Sequence, residues 1–231
     1  MPSIWLPDCP PITAGADDDE FSNSSLAAMW TEVDHGSHLT VSEDDAGLKL
    51  LQSSHAGDSI SGIYHAFRAG NGSYWTKVSL GGLPSAGNYG GGIALWADPT
   101  SSTADIVTLG FVQQGAARGE VQVTNWTAYN AFSSSPARFE YSVDVGPTAL
   151  YLRVRRASTT YEFDVSSDGL AWDRIYSTGS LFITPSHIGP MLFNGGTGAV
   201  GTARFPFWRY VGSDVGMDGL VKGDRVAVTA L

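Results

Sequence analysis

The run LYLRVRRASTTYEFDVSSDGLAW, Leu150 to Trp172, leaves this chain few ways to fold. Leu150, Leu152 and Val154 alternate with Tyr151, Arg153 and Arg155, and after a short loop near Ser158-Thr159 the pattern resumes. Tyr161, Phe163 and Val165 then alternate with Glu162 and Asp164. Side chains on a strand point to opposite faces in turn, so this is one hairpin with an apolar side and a charged side. A tight loop sets Leu152 against Val165 and Val154 against Phe163, and places Arg153 opposite Asp164 and Arg155 opposite Glu162. Slipping the register by one residue would break both sets of pairs, so the faces are fixed. Asp168-Gly169 ends the second strand, and Trp172 beyond it is expected in the core.

The same grammar runs from Phe21 to about Val211. Candidate strands fall at 39–42, 47–52, 61–67, 74–80, 91–97, 105–113, 120–126, 138–145, 187–193 and 203–211, around the hairpin at 150–176. Gly-Asn-Gly at 70–72, Gly-Gly at 81–82, Asp-Pro at 98–99 and Gly-Gly at 195–196 punctuate them. No segment keeps a helical period for the roughly 11 residues required; SNSSLAAMWTEV (22–33) offers at most a short helical turn behind a serine cap. A dozen strands without crossover helices predict an all-β protein of two packed antiparallel sheets, a jelly-roll sandwich. The 28 glycines among 231 residues suit that many turns. The division expected is an N-terminal arm over 1–18, the sandwich over 19–212 and a C-terminal tail over 213–231.

Charge narrows the partners. A net charge of −10 opposes binding to a phosphate backbone or an anionic bilayer, so neither nucleic acid nor membrane insertion is expected. Cys9 is the single cysteine, which excludes an intrachain disulfide. The opening MPSIWLPDCPPITAG lacks the basic and apolar regions of a signal peptide.

The hairpin LRVRR with S-x-D-G-x-x-W resembles the late hairpin of concanavalin A-like β-sandwiches of the lectin/glucanase superfamily, in particular the accessory modules of bacterial glycoside hydrolases. DEFSNSSLAAMW (19–30), GGIALW (91–96) and ARFPFWRYV (203–211) are similar to their opening, central and closing segments, so the resemblance covers roughly 19–211. In such modules the closing strand often carries Asp near a structural calcium; here that position is Pro206. Asp17, Asp18 and Asp19 are left as oxygen donors for a possible hard cation, within a segment otherwise read as a solvated acidic arm. No other cofactor is expected.

Glucanases of this superfamily carry E-x-D-x-E on one strand, where alternation aims the carboxylates into the groove. That motif is absent, so no enzymatic activity is expected. Gly57-Asp58-Ser59 lacks the partners of an esterase, and His35 and His38 read as loop histidines. Seven tryptophans and nine tyrosines remain, more than one core needs. Sugar rings stack on such side chains while amides and charges bond their hydroxyls. Trp126 and Tyr129, in the polar stretch NWTAYN, are expected to be exposed and to bind ligand, with Trp75, Lys77 and Trp96 as further candidates. The expected partner is a neutral saccharide or host-surface glycan.

The whole arrangement also resembles concanavalin A-like proteins of bacteriophage tails and capsids. That resemblance implies a non-enzymatic protein on a virion surface, made in the host cytoplasm and docked to virion proteins through its arms, and leaves a homo-oligomer open. A carbohydrate-binding module of a secreted bacterial glycoside hydrolase is the alternative, and a glycosidase the third.

Overall fold

The computed structural model describes residues 17–53, 57–81, 88–114, 118–142, 149–195 and 201–212, without the side chains of 114, 118 and 140–142. Nearly all of the expected arm (1–16) and tail (213–231) therefore lies outside the described residues. Strands β1 (Thr31–Val33), β2 (Leu39–Asp44), β3 (Gly47–Gln52), β4 (Ser59–Ala66) and β5 (Gly72–Leu80) open the chain. The middle holds β6 (Asn88–Trp96), β7 (Ile106–Gln114), β8 (Arg118–Ala128), β9 (Ala131–Ser142) and β10 (Ala149–Ala157). β11 (Thr160–Ser166), β12 (Asp173–Thr178), β13 (His187–Gly195), β14 (Gly201–Phe205) and β15 (Trp208–Gly212) complete it.

Two antiparallel sheets result. One runs β1-β4-β13-β6-β7-β8-β9; the other runs β12-β11-β10-β5-β14-β3-β2, with β15 also on β5. No described segment is helical. The architecture is thus the all-β, two-sheet sandwich that the alternation predicts. The β10–β11 hairpin has the predicted register, Leu152 against Val165 and Val154 against Phe163, with Arg153 against Asp164 and Arg155 against Glu162.

Some local expectations are corrected. Residues 22–30 form bends and one turn, closed by Trp30 N–H on Ala27 O, because Phe21 and Trp30 are both pulled into the core. The closing segment is two strands, not one, since Pro206 has no N–H for the ladder and interrupts it between Phe205 and Trp208. Trp172 is not in the core. The chain turns back after Gly169 and lays the indole outside the sheet, 4.3 Å over the guanidinium of Arg153. Beneath it Arg153 Nη2 and Nε reach Asp164 Oδ2 at 2.8 and 3.0 Å, and Arg174 Nε holds the other oxygen at 3.1 Å. Trp172 therefore shields an ion pair from water.

The three consecutive acids diverge. Asp17 pairs with Arg68, Asp18 accepts from Tyr210 N–H at 2.7 Å, and Asp19 accepts from Phe21 N–H and Trp30 Nε1–H, both at 2.7 Å. Among the described residues no three His, Cys, Asp or Glu gather to hold a metal. Asp17 and Asp18, expected in the arm, already lie against the sandwich, and Asp19 bridges to Trp208 of β15.

That bridge anchors an aromatic knot between the sheets. Trp208 is fully buried, meets Trp30 edge-on at 5.7 Å, and donates its indole N–H to Nε2 of His65 at 3.1 Å. Burial holds the His65 imidazole below its ordinary value of 6.5, an effect the nearby Asp17 only partly offsets. The folded state therefore keeps His65 neutral while the unfolded chain protonates it below about pH 6.5. Stability should fall as pH drops through that window, and His65→Gln should flatten the slope; denaturant midpoints measured from neutrality to about pH 5 check this. For the outer face, Trp172→Ala should cost about 1–2 kcal/mol, the range of a cation–π cover. Emptying Trp208 should cost about 3–5 kcal/mol. Urea unfolding of the two variants measures the difference.

Candidate functional site

The five candidate ligand residues separate onto opposite faces of the molecule. Trp75 and Lys77 lie on the outward face of the sheet that contains β5. Trp75 is half-buried among Phe207 at 4.9 Å, Trp172 at 6.2 Å and Tyr151 at 6.4 Å. Lys77 places its ammonium 5.4 Å from the centre of the Tyr151 ring. These side chains engage one another.

Trp96, Trp126 and Tyr129 meet on the outward face of the other sheet. Reading across its strands, the outward positions include Gly62 on β4, Gly189 and Met191 on β13, Gly92 and Ala94 on β6, and Gly110 on β7. A Cβ at Gly92 would collide with Leu109 O and one at Gly189 with Ile63 O, so only glycine permits the strands to approach this closely. The glycines leave a floor thinly covered by side chains. The far hairpin fills it.

β8 and β9 lose register between Val123 and Asn125, Asn125 and Trp126, and Trp126 and Ala128. Such irregularities bend a strand. The bend carries the hairpin over the face: Trp126 packs 5.3 Å from Phe193 of β13, and Ile60 N–H of β4 donates to Tyr129 O at 2.8 Å. In sheet order β4 and β8 are separated by β13, β6 and β7. The hairpin tip therefore straps the sheet from one side to the other. Beneath it Trp96, Trp126, Ile60, Ile106 and Met191 form a second buried cluster.

The expected exposure of Trp126 is thus corrected. The side chain is 2% exposed, and its indole N–H donates to Thr124 Oγ1 at 2.7 Å. Its polar sequence neighbours pointed to a loop, but bent strand and strap bury it. Trp96 is equally buried. Tyr129 is half-buried and leans on His35, ring centres 5.4 Å apart.

Where the strap lands, a cleft of about 150 Å³ opens, lined by Gly36, His38, Gly57, Asp58, Ser59, Tyr129 and Asn130. Three loops build it. The β1–β2 loop is held by Asp34, whose Oδ2 accepts from Leu39 N–H at 2.7 Å and Oδ1 from Ser61 Oγ at 3.2 Å. His35 Nε2 lies 3.1 Å from Pro99 O, which fixes the same loop from its other side. Gly57, at φ +99°, gives the β3–β4 connection a turn that other residues adopt poorly. The hairpin tip contributes Tyr129 and Asn130. A carboxylate, an amide, an imidazole and a phenol ring thus share one small concavity, while the Ser59 hydroxyl is buried and accepts from Gln52 Nε2. That set can donate to and accept from vicinal hydroxyls and cover an apolar ring face.

Local sequence assigns none of Asp58, Ser59, His38 and Asn130 to a ligand site. Gly57-Asp58-Ser59 reads as an incomplete esterase motif, His38 as a loop histidine, and Asn130 only as the end of the polar stretch NWTAYN. Sequence alone brings them no closer than different turns. Phe132 was also missed; it stands 50% exposed beside Trp126, 5.5 Å away. On β8 Glu120, Gln122 and Thr124 occupy successive outward positions, and buried Glu120 is paired with Arg138.

No family model matches the chain, and no curated protein does. Solved structures do. A GH43 protein, BlXynB, from Bacillus licheniformis superposes with a TM-score of 0.62 at 16% identity, over 85% of this chain and 39% of its own. The Bacillus licheniformis beta-glucanase gives 0.52 at 14% identity over 86% of this chain and 99% of its own. A legume lectin-like domain from Entamoeba histolytica gives 0.51 at 10% over 79% and 89%. The chain folds as a concanavalin A-like jelly roll. Identities this low establish the fold and nothing narrower. The chain spans well under half the length of the GH43 protein.

Within this jelly roll the strap should carry much of the stability of the outward face. Trp126→Ala is expected to cost about 3–5 kcal/mol, as for a core aromatic. Urea denaturation monitored by circular dichroism checks it, and a loss under about 1 kcal/mol would mean that the indole is not under the strap.

Proposed function

We propose that this concanavalin A-like sandwich binds a neutral saccharide without cleaving it, and that the binding site is the cleft under the hairpin tip. The cleft's chemistry carries this reading: the aromatic side chain of Tyr129 lines it beside the hydroxyl-bonding groups of Asp58, Asn130 and His38. The fold shared with a beta-glucanase and a legume lectin-like domain supports the ligand class. Glycoside hydrolysis takes two carboxyl groups about 5–9 Å apart, one on each side of the bond. Asp58 is the single carboxylate among the described residues lining this cleft. On β8, Gln122 and Thr124 follow Glu120 at the outward positions, so this strand adds no second acid there, and Arg138 is on Glu120. These observations favour holding over cutting.

A single small site of this kind binds at about 0.1–1 mM, or 4–5 kcal/mol. Display in many copies on a virion, the setting implied by the resemblance to phage-associated sandwiches, would raise this through avidity. The test is a glycan array probed with the protein presented multivalently, together with Asp58→Asn and Asn130→Ala. Binding to neutral glycans that falls about tenfold or more in each variant, with unchanged unfolding midpoints, is the expected result. An array without binding overturns the reading, and release of reducing sugar from a bound glycan replaces it with hydrolysis.

A further inference from the structure

Jelly rolls present a sheet face along which a polymer can lie. Here that face is barred. The Tyr129 O to Ile60 N–H bond crosses the strands between β4 and β8, and Trp126 against Phe193 closes the space beneath. Trp96, Ile106 and Met191 occupy the floor that the glycines leave open. A glycan running along the sheet would have to displace this buried cluster.

The cleft itself is short. Its volume of about 150 Å³ is below the roughly 300–1,000 Å³ common for ligand sites. One wall is the strap, through Tyr129 and Asn130; the others are the ends of two loops, at Gly36 to His38 and at Gly57 to Ser59. A ring entering from solvent meets the hairpin tip, where Tyr129 packs against the cluster of Trp96 and Trp126. Among the described residues, the strap and its buried cluster stand where a second ring would have to continue past Tyr129.

Resting on the saccharide-binding reading above, we infer that the site recognises the terminal residue of a glycan and excludes internal residues of a chain. The ligand class is a neutral glycan end, with one ring inserted against Tyr129 and its hydroxyls met by Asp58 and Asn130. Whatever precedes that ring in the glycan remains outside the cleft.

The experiment is an array of neutral glycans that share terminal sugars over different internal sequences, and share internal sequences under different terminal sugars. The full-length protein is used. Binding is expected to sort by terminal sugar, to vanish when one further, different sugar is added to that end, and to be displaced by the methyl glycoside of the shared terminal sugar. For unbranched polymers, binding per mole of chain ends should stay constant with length. Binding that follows the internal sequence whatever the terminus, or that grows per chain end as the polymer lengthens, overturns this inference and leaves saccharide binding standing. No binding to any glycan removes both.

Discussion

One backbone hydrogen bond, from Ile60 N–H to Tyr129 O, ties the two sides of a sheet whose face would otherwise be open. Much of the candidate site depends on it. It brings Tyr129 and Asn130 within reach of Asp58 and Ser59, residues about seventy positions earlier in the chain. It also gives the outward face a buried cluster of its own, separate from the core between the sheets. A backbone amide paired in this way keeps its place whatever side chains stand at the tip, so the strap constrains position while side chains there remain free to meet a ligand.

The strap has two structural requirements. Bending comes from the irregular pairing of β8 with β9 around Asn125 and Trp126. Space comes from glycines in the central strands, where a side chain would strike a neighbouring backbone. Apolar area that would face water on a flat sheet is then covered from within the same chain. Trp126 serves here as packing, and its N–H is satisfied by Thr124, which in turn meets Thr108 at 2.6 Å. This polar pair lets an indole lie buried without an unpaired donor.

The opposite sheet handles its outward face differently. Trp172 covers a buried arginine–aspartate pair, and arginines and acids alternate across β10, β11 and β12. Removing one partner of such a pair would leave a charge stranded in low dielectric, so the network holds the register of three strands together. The two outward faces therefore differ in character: one is a strapped apolar floor leading to a polar cleft, the other a laced ionic surface with an aromatic cover.

The sequence by itself determined what depends on neighbours along the chain. Period-two alternation fixed the β10–β11 register, the inward set Leu152, Val154 and Phe163, and the assignment of Trp75 and Trp96 to faces opposite their apolar neighbours. It could not say what lies on top of a face. Trp126 has the right parity to point outward, and only the long-range strap turns outward into buried. Trp172 follows a left-handed Gly169, where strand parity is lost, and its partner Arg153 is known only once the chain has turned back. The aspartates at 17–19 read as a shared ligand set, yet successive side chains diverge, and each found a different partner: Arg68 for Asp17, Tyr210 N–H for Asp18 and Trp30 for Asp19. The cleft is the clearest case. Its residues come from three turns, and local alternation carries no information about which turns converge, because that is set by how the sheets curve and pack.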